Sequence, residues 1–79
     1  MRNMTKVGRV NPFIQFRQLT GATQSEIADT LGVSIASISK YESGDRRPKY
    51  HVCLGLERLF RKKDIEIKEL DIVRYFKHV

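Results

Sequence analysis

Apolar residues recur along this chain at helical spacing in successive short blocks, each closed by a glycine or opened by a capping residue or proline. Asn11-Pro12 opens the first block, with Asn as the cap and Pro in the first helical position. Phe13, Phe16, Arg17 and Thr20 then share one side, and Gly21 stops the helix at about Thr20. The arginine on that otherwise apolar side calls for a partner. Thr23 opens the second block as a capping box, with Glu26 reaching back to the cap. Ile27, Ala28 and Leu31 form its inward stripe, and Gly32 ends it at an expected positive φ.

Almost no linker follows Gly32. Val33 plugs the turn and Ser34 caps a third helix that runs to Ser43. In that helix Ile38, Tyr41 and Glu42 fall on one side, with Ile35, Ala36, Ser39 and Lys40 on the other. Solvated helix faces usually carry Glu and Lys, so this small-chained outer side suggests a surface shaped to fit something. Gly44 ends the helix, "DRRPK" is a basic loop, and Pro48 sets up a fourth helix from about Lys49 to Arg61. Its expected core contacts are Tyr50, Cys53, Leu56, Leu59 and Phe60. Gly55 inside it costs about 1 kcal/mol against Ala, so either a close neighbour needs the gap or the helix is locally weak.

The tail "KDIEIKELDIVRYFKHV" reads two ways. Ile65 and Ile67 alternate as in a strand. Leu70, Val73, Phe76 and Lys77 have helical spacing with Ile72 adjacent, which favours a fifth helix over about residues 67–77. The expected architecture is all-α with five helices, a β-strand being the alternative for the last.

Length and composition narrow the function. A chain of 79 residues is one domain near the lower size for independent folding, with little room for a buried catalytic cleft. No apolar run is long enough to span a membrane, and "MRNMTKVGRV" lacks the apolar core of a secretory signal. One cysteine, Cys53, cannot make an internal disulfide, and no Cys/His cluster has metal spacing, so a reduced cytosol is the expected compartment. His51, His78 and Cys53 have no evident catalytic partner. No enzyme activity, cofactor or small-molecule ligand is expected.

The net charge is +6, and its placement matters more than its size. Residues 1–22 carry Arg2, Lys6, Arg9 and Arg17 and no acid. Residues 45–63 carry seven cations against Asp45 and Glu57, while residues 23–44 between them are nearly neutral. A basic rim around a neutral surface suits a phosphate backbone, although it also fits a merely soluble basic surface.

"TQSEIADTLGVSIASISKYESG", residues 23–44, resembles the helix-turn-helix of the phage Cro and repressor family, also called Xre-type regulators. The likeness extends over roughly residues 12–60, through Arg17, Gln24, Ala28, Gly32, Val33, Ile38, Glu42, Gly44 and Pro48. It implies a lambda-repressor-like fold, with residues 1–10 as a basic arm, 11–62 as the DNA-binding domain and 63–79 as a C-terminal segment used for dimerisation. The third helix would then lie in the major groove of double-stranded DNA, with the second crossing above it.

The resemblance assigns base reading to Ile35, Ala36, Ser39 and Lys40. Ile35 and Ala36 can touch thymine methyls but cannot form the bidentate adenine bonds of Gln or Asn. Lys40 could reach guanine or a phosphate. Thr23, Gln24, Ser34, Ser37, Arg46, Arg47 and Lys49 are the expected phosphate contacts; Ser34 could equally be only a cap, and Ser37 could serve base edges. Arg17 and Glu42 correspond to a structural ion pair. The arm could reach a phosphate or the minor groove, or be disordered.

Ile72, Tyr75 and Phe76 are the expected surface for a homodimer on a palindromic operator. The favoured reading is a stand-alone repressor of phage, plasmid or restriction-modification type. The alternative is an antitoxin-type module that binds a partner toxin and its own promoter, using Ile72, Val73 and Phe76.

Overall fold

The computed structural model describes residues 10–67 and 69–77. The arm residues Arg2, Lys6 and Arg9, the side chain of Leu70, and His78 lie outside the described residues. Five helices follow in order: α1 (Pro12–Thr20), α2 (Gln24–Leu31), α3 (Ile35–Ser43), α4 (Tyr50–Lys62) and α5 (Glu69–Lys77). No strand occurs among the described residues, so the tail takes its helical alternative. The alternation of Ile65 and Ile67 has another origin. Both sit in the extended connection before α5, where Ile67 is buried and Ile65 packs partly against the core.

Side-chain caps set the beginnings of the first three helices. Asn11 Oδ1 accepts the amides of Phe13 and Ile14 at 2.9 and 3.2 Å. Thr23 and Glu26 close a reciprocal box: Glu26 N–H donates to Thr23 Oγ1 at 3.1 Å, and Thr23 N–H donates to Glu26 Oε1 at 2.8 Å. Ser34 Oγ accepts the Ser37 amide at 3.0 Å. Each cap satisfies amides that a helix start otherwise leaves without intrahelical partners. Gly32 ends α2 at φ 71°, a left-handed conformation that would cost an ordinary side chain about 1–2 kcal/mol. That sharp stop lets α3 begin three residues later.

The core is one apolar cluster drawn from every helix. Phe13, Phe16, Ile27, Ile38, Leu56, Phe60, Ile72 and Phe76 are all at most 2% exposed. Phe13 lies at the centre of it, 5.3 Å from the Tyr41 ring of α3 and 5.7 Å, edge-on, from Phe76 of α5. Phe16 meets Phe60 of α4 edge-on at 5.1 Å. The gap left by Gly55 has a user: a Cβ there would stand 2.7 Å from Leu31 Cδ2, so the missing methyl lets α2 and α4 approach.

The structure corrects the inward face of α4. Tyr50 is 58% exposed rather than a core contact, while Leu59, half-buried, does pack against the core. The buried stripe is Val52, Cys53, Leu56, Glu57 and Phe60. Tyr50 is the first residue of α4 and stands out toward solvent, while Val52 and Cys53 of the same turn are buried. Glu57 is buried with its carboxylate paired to Arg61 one turn on. An acidic residue on the core side of a helix has no signature in apolar spacing, which is why the predicted stripe was rotated. Among the described residues no helix is long and apolar enough to cross a membrane.

Candidate nucleic-acid interface

The outer side of α3 is the most distinctive surface of the molecule. Ile38 and Tyr41 face the core, while Ile35, Ala36, Ser39 and Lys40 are exposed. Ile35, at 51% exposure, is one of three large apolar side chains open to solvent among the described residues. The face carries no acid, and the expected base-reading residues are brought together on it.

Polar bonds hold the helix to its neighbours from behind. Asn11, itself buried, uses its side-chain amide to donate to the Tyr41 carbonyl at 2.9 Å and to that of Glu42 at 3.4 Å. One residue thus caps the start of α1 and the end of α3 together. The sequence showed the cap but not the second role, because a buried Asn amide takes its partners from wherever the fold puts carbonyls. Glu42 accepts two bonds from Arg17 Nη1, at 2.9 Å to Oε1 and 3.1 Å to Oε2, and Arg17 Nε donates to the Ala22 carbonyl. The carboxylate side chain is only 10% exposed and the guanidinium 35%, so this ion pair is partly screened.

Glu42 has a further donor. Gln24 Nε2 bonds to Glu42 Oε1 at 3.0 Å. The side-chain amide read from the sequence as free to meet a phosphate is therefore anchored on α3, with one amide hydrogen committed. Its position at the start of α2 is fixed by that bond, and the first amides of α2 remain the groups best placed for an anion. Thr23 spends both its amide and its hydroxyl oxygen in the capping box with Glu26.

The basic loop folds back onto the start of α3. The amides of Asp45 and Arg46 both donate to the Lys40 carbonyl, at 2.9 and 3.3 Å. From there Arg46 Nη1 reaches Ser37 Oγ at 3.1 Å, and Ser37 Oγ also accepts from Ser34 Oγ at 2.9 Å. Ser34, Ser37 and Arg46 form one chain of hydrogen bonds, a connection that sequence spacing gives no means of seeing. Arg47 and Lys49 are exposed on the same loop. Arg46 thus stands at the edge of the α3 face.

The expected dimer surface is corrected. Ile72 is fully buried and Phe76 is 2% exposed, both packed within the chain's own core. Their spacing on α5 marks the face that covers Phe13 and α4, so they are not offered to a second copy. Tyr75 is half-buried, its ring 4.9 Å from that of Phe76. Between α4 and α5 runs a groove of about 290 Å³ lined by Arg47, Pro48, Tyr50, Cys53, Val73, Phe76 and Lys77.

Cys53 is buried, and burial pushes its thiol up to about 11, which keeps the nucleophilic thiolate scarce at neutral pH. Among the described residues no cluster of His, Cys, Asp or Glu is placed to share a metal ion. In comparisons with known proteins, residues 14–67 match a helix-turn-helix family. No curated protein and no solved structure matches the chain.

Proposed function

The chain belongs to the Cro/C1-type, Xre-like helix-turn-helix family of DNA-binding regulators, and from that premise we propose that it is a small dimeric repressor that reads the major groove with α3. The observation that carries the proposal is the exposed, acid-free face of Ile35, Ala36, Ser39 and Lys40, edged by Arg46 and followed by the exposed cations Arg47 and Lys49. Side chains on the first turns of such a helix meet base edges, and the flanking cations and helix N-termini meet phosphates. The first amides of α2, with Gln24 steadied by Glu42, supply one phosphate site. Arg46, steadied by Ser37, supplies another.

One reading helix spans too few base pairs to define a site, and a two-fold pair with helices about 34 Å apart doubles the information. With Ile72 and Phe76 committed to the core, the contact would fall to Tyr75, Val73 and the exposed Tyr50 beside the groove. The antitoxin reading drew on Ile72, Val73 and Phe76 as a partner surface. Burial of Ile72 and Phe76 leaves that reading, like the dimer, with Val73 and its partly buried neighbours on α5.

Selection of bound duplexes from a random library tests the proposal. A recovered palindrome, bound with a log K against log salt slope of roughly −5 to −7, fits a dimer neutralising about 6–8 phosphates. No enriched sequence, or binding indifferent to salt, would overturn it.

A further inference from the structure

The first turn of α3 carries two hydroxyls and two apolar side chains, and the hydroxyls are already engaged. Ser34 Oγ accepts the Ser37 amide at 3.0 Å and donates to Ser37 Oγ at 2.9 Å. Ser37 Oγ accepts again from Arg46 at 3.1 Å, and the residue is half-buried. What this turn holds out to solvent is Ile35, 51% exposed, and the methyl of Ala36. With α3 in the groove, a half-exposed isoleucine beside an alanine, on a face without acids, can meet only apolar features of the duplex through these two side chains.

The major groove offers one apolar feature, the methyl group at C5 of thymine. A methyl at C5 of cytosine projects into the groove from the same ring position. Thymine and 5-methylcytosine then differ in the group at C4, an acceptor O4 against a donor N4–H₂. Ile35 and Ala36 have neither donor nor acceptor in their side chains to register that difference. We infer that this turn recognises the C5 methyl of pyrimidines, so that 5-methylcytosine substitutes for thymine opposite Ile35 and occupancy of the operator responds to cytosine-C5 methylation. The inference rests on α3 being the groove helix and adds the ligand chemistry of its first turn.

The test uses the full chain and a selected operator. Each thymine of one half-site and its symmetry mate is replaced in turn by uracil, by cytosine paired to guanine, and by 5-methylcytosine paired to guanine. At one or two positions uracil should weaken binding about three- to fivefold per methyl removed. At those positions 5-methylcytosine should bind tighter than cytosine by a similar factor. Ile35→Ser, at an exposed site, should melt as wild type and lose both differences.

Equal binding of thymine and uracil at every position would overturn the inference while leaving groove recognition standing. So would 5-methylcytosine binding no better than cytosine where uracil weakens, or methyl dependence that persists in Ile35→Ser. Should Ile35→Ser bind too weakly to measure, the base-analogue series on wild type decides alone. If selection yields no operator, the repressor reading falls first and takes this one with it.

Discussion

The two halves of the molecule share one apolar core but differ in the polar bonds added to it. In α1 to α3, directional polar bonds fix each junction: the Asn11 bridge to the Tyr41 and Glu42 carbonyls, the Thr23–Glu26 box, the Arg17–Glu42–Gln24 set and the Ser34–Ser37–Arg46 chain. In α4 and α5 apolar burial dominates. α4 follows Lys49 without a side-chain cap and is succeeded by Asp64 in a left-handed conformation at φ 57°, while Ile67, Ile72 and Phe76 seal α5 over the core. Apolar contact is strong but tolerant of small shifts, whereas hydrogen bonds specify orientation. The half that must present a face in a fixed direction is the half built with directional bonds.

Substitutions in the apolar half should therefore change stability and leave the reading face intact. Phe76→Ala removes a ring that touches both Phe13 and Tyr75, and should cost about 3–5 kcal/mol in urea unfolding. Ile72→Asp with Phe76→Asp should yield no folded chain, rather than a folded monomer. A cooperative melt for that double variant would mean that α5 is not part of the core.

Glu42→Ala breaks the polar half at its best-connected point. It should cost about 1–3 kcal/mol, less than a fully buried pair because the Arg17 side chain is 35% exposed. Duplex affinity of the protein that remains folded should fall by up to about tenfold, since Gln24 loses its anchor. Lost stability with unchanged affinity would show that the anchor does not matter for binding.

The smallest effect is a gain. Asp64→Gly relieves a left-handed residue and removes a carboxylate from the C-terminal end of α4, and should raise stability by about 0.5–1 kcal/mol without altering affinity. A loss on thermal melting would contradict it.

The same contrast explains what could be read from the sequence. Caps and stops are local, so Asn11, Thr23, Gly32, Ser34 and Gly44 marked the first three helices where they lie. The outer face of α3 followed from periodicity alone. Long-range polar partners were another matter: Arg17 with Glu42 was legible only through resemblance to a family, and the bonds from Gln24 to Glu42 and from Arg46 to Ser37 were not legible at all. Donors of this kind have several acceptors within reach, and only the assembled fold selects one. Burial was misjudged where a stripe left the apolar alphabet, as at Glu57, or where an apolar residue of the first turn faces out, as at Tyr50. Ile72 and Phe76 were assigned to the dimer for a related reason. Apolar spacing on α5 picked out Phe76 with Ile72 beside it, both of which are buried, but could not say whether its own chain or a second copy covers them.

The central claim, that the exposed face of α3 is the surface that reads DNA, is tested most directly by Ala36→Glu. Position 36 is exposed in the first turn of α3, where an acid suits the helix dipole, so the variant should melt at or slightly above the wild-type temperature. The added carboxylate would face the groove between phosphates, and affinity for the selected operator should fall by at least about a hundredfold. Wild-type affinity in a variant that folds normally would contradict the assignment of α3 as the reading helix.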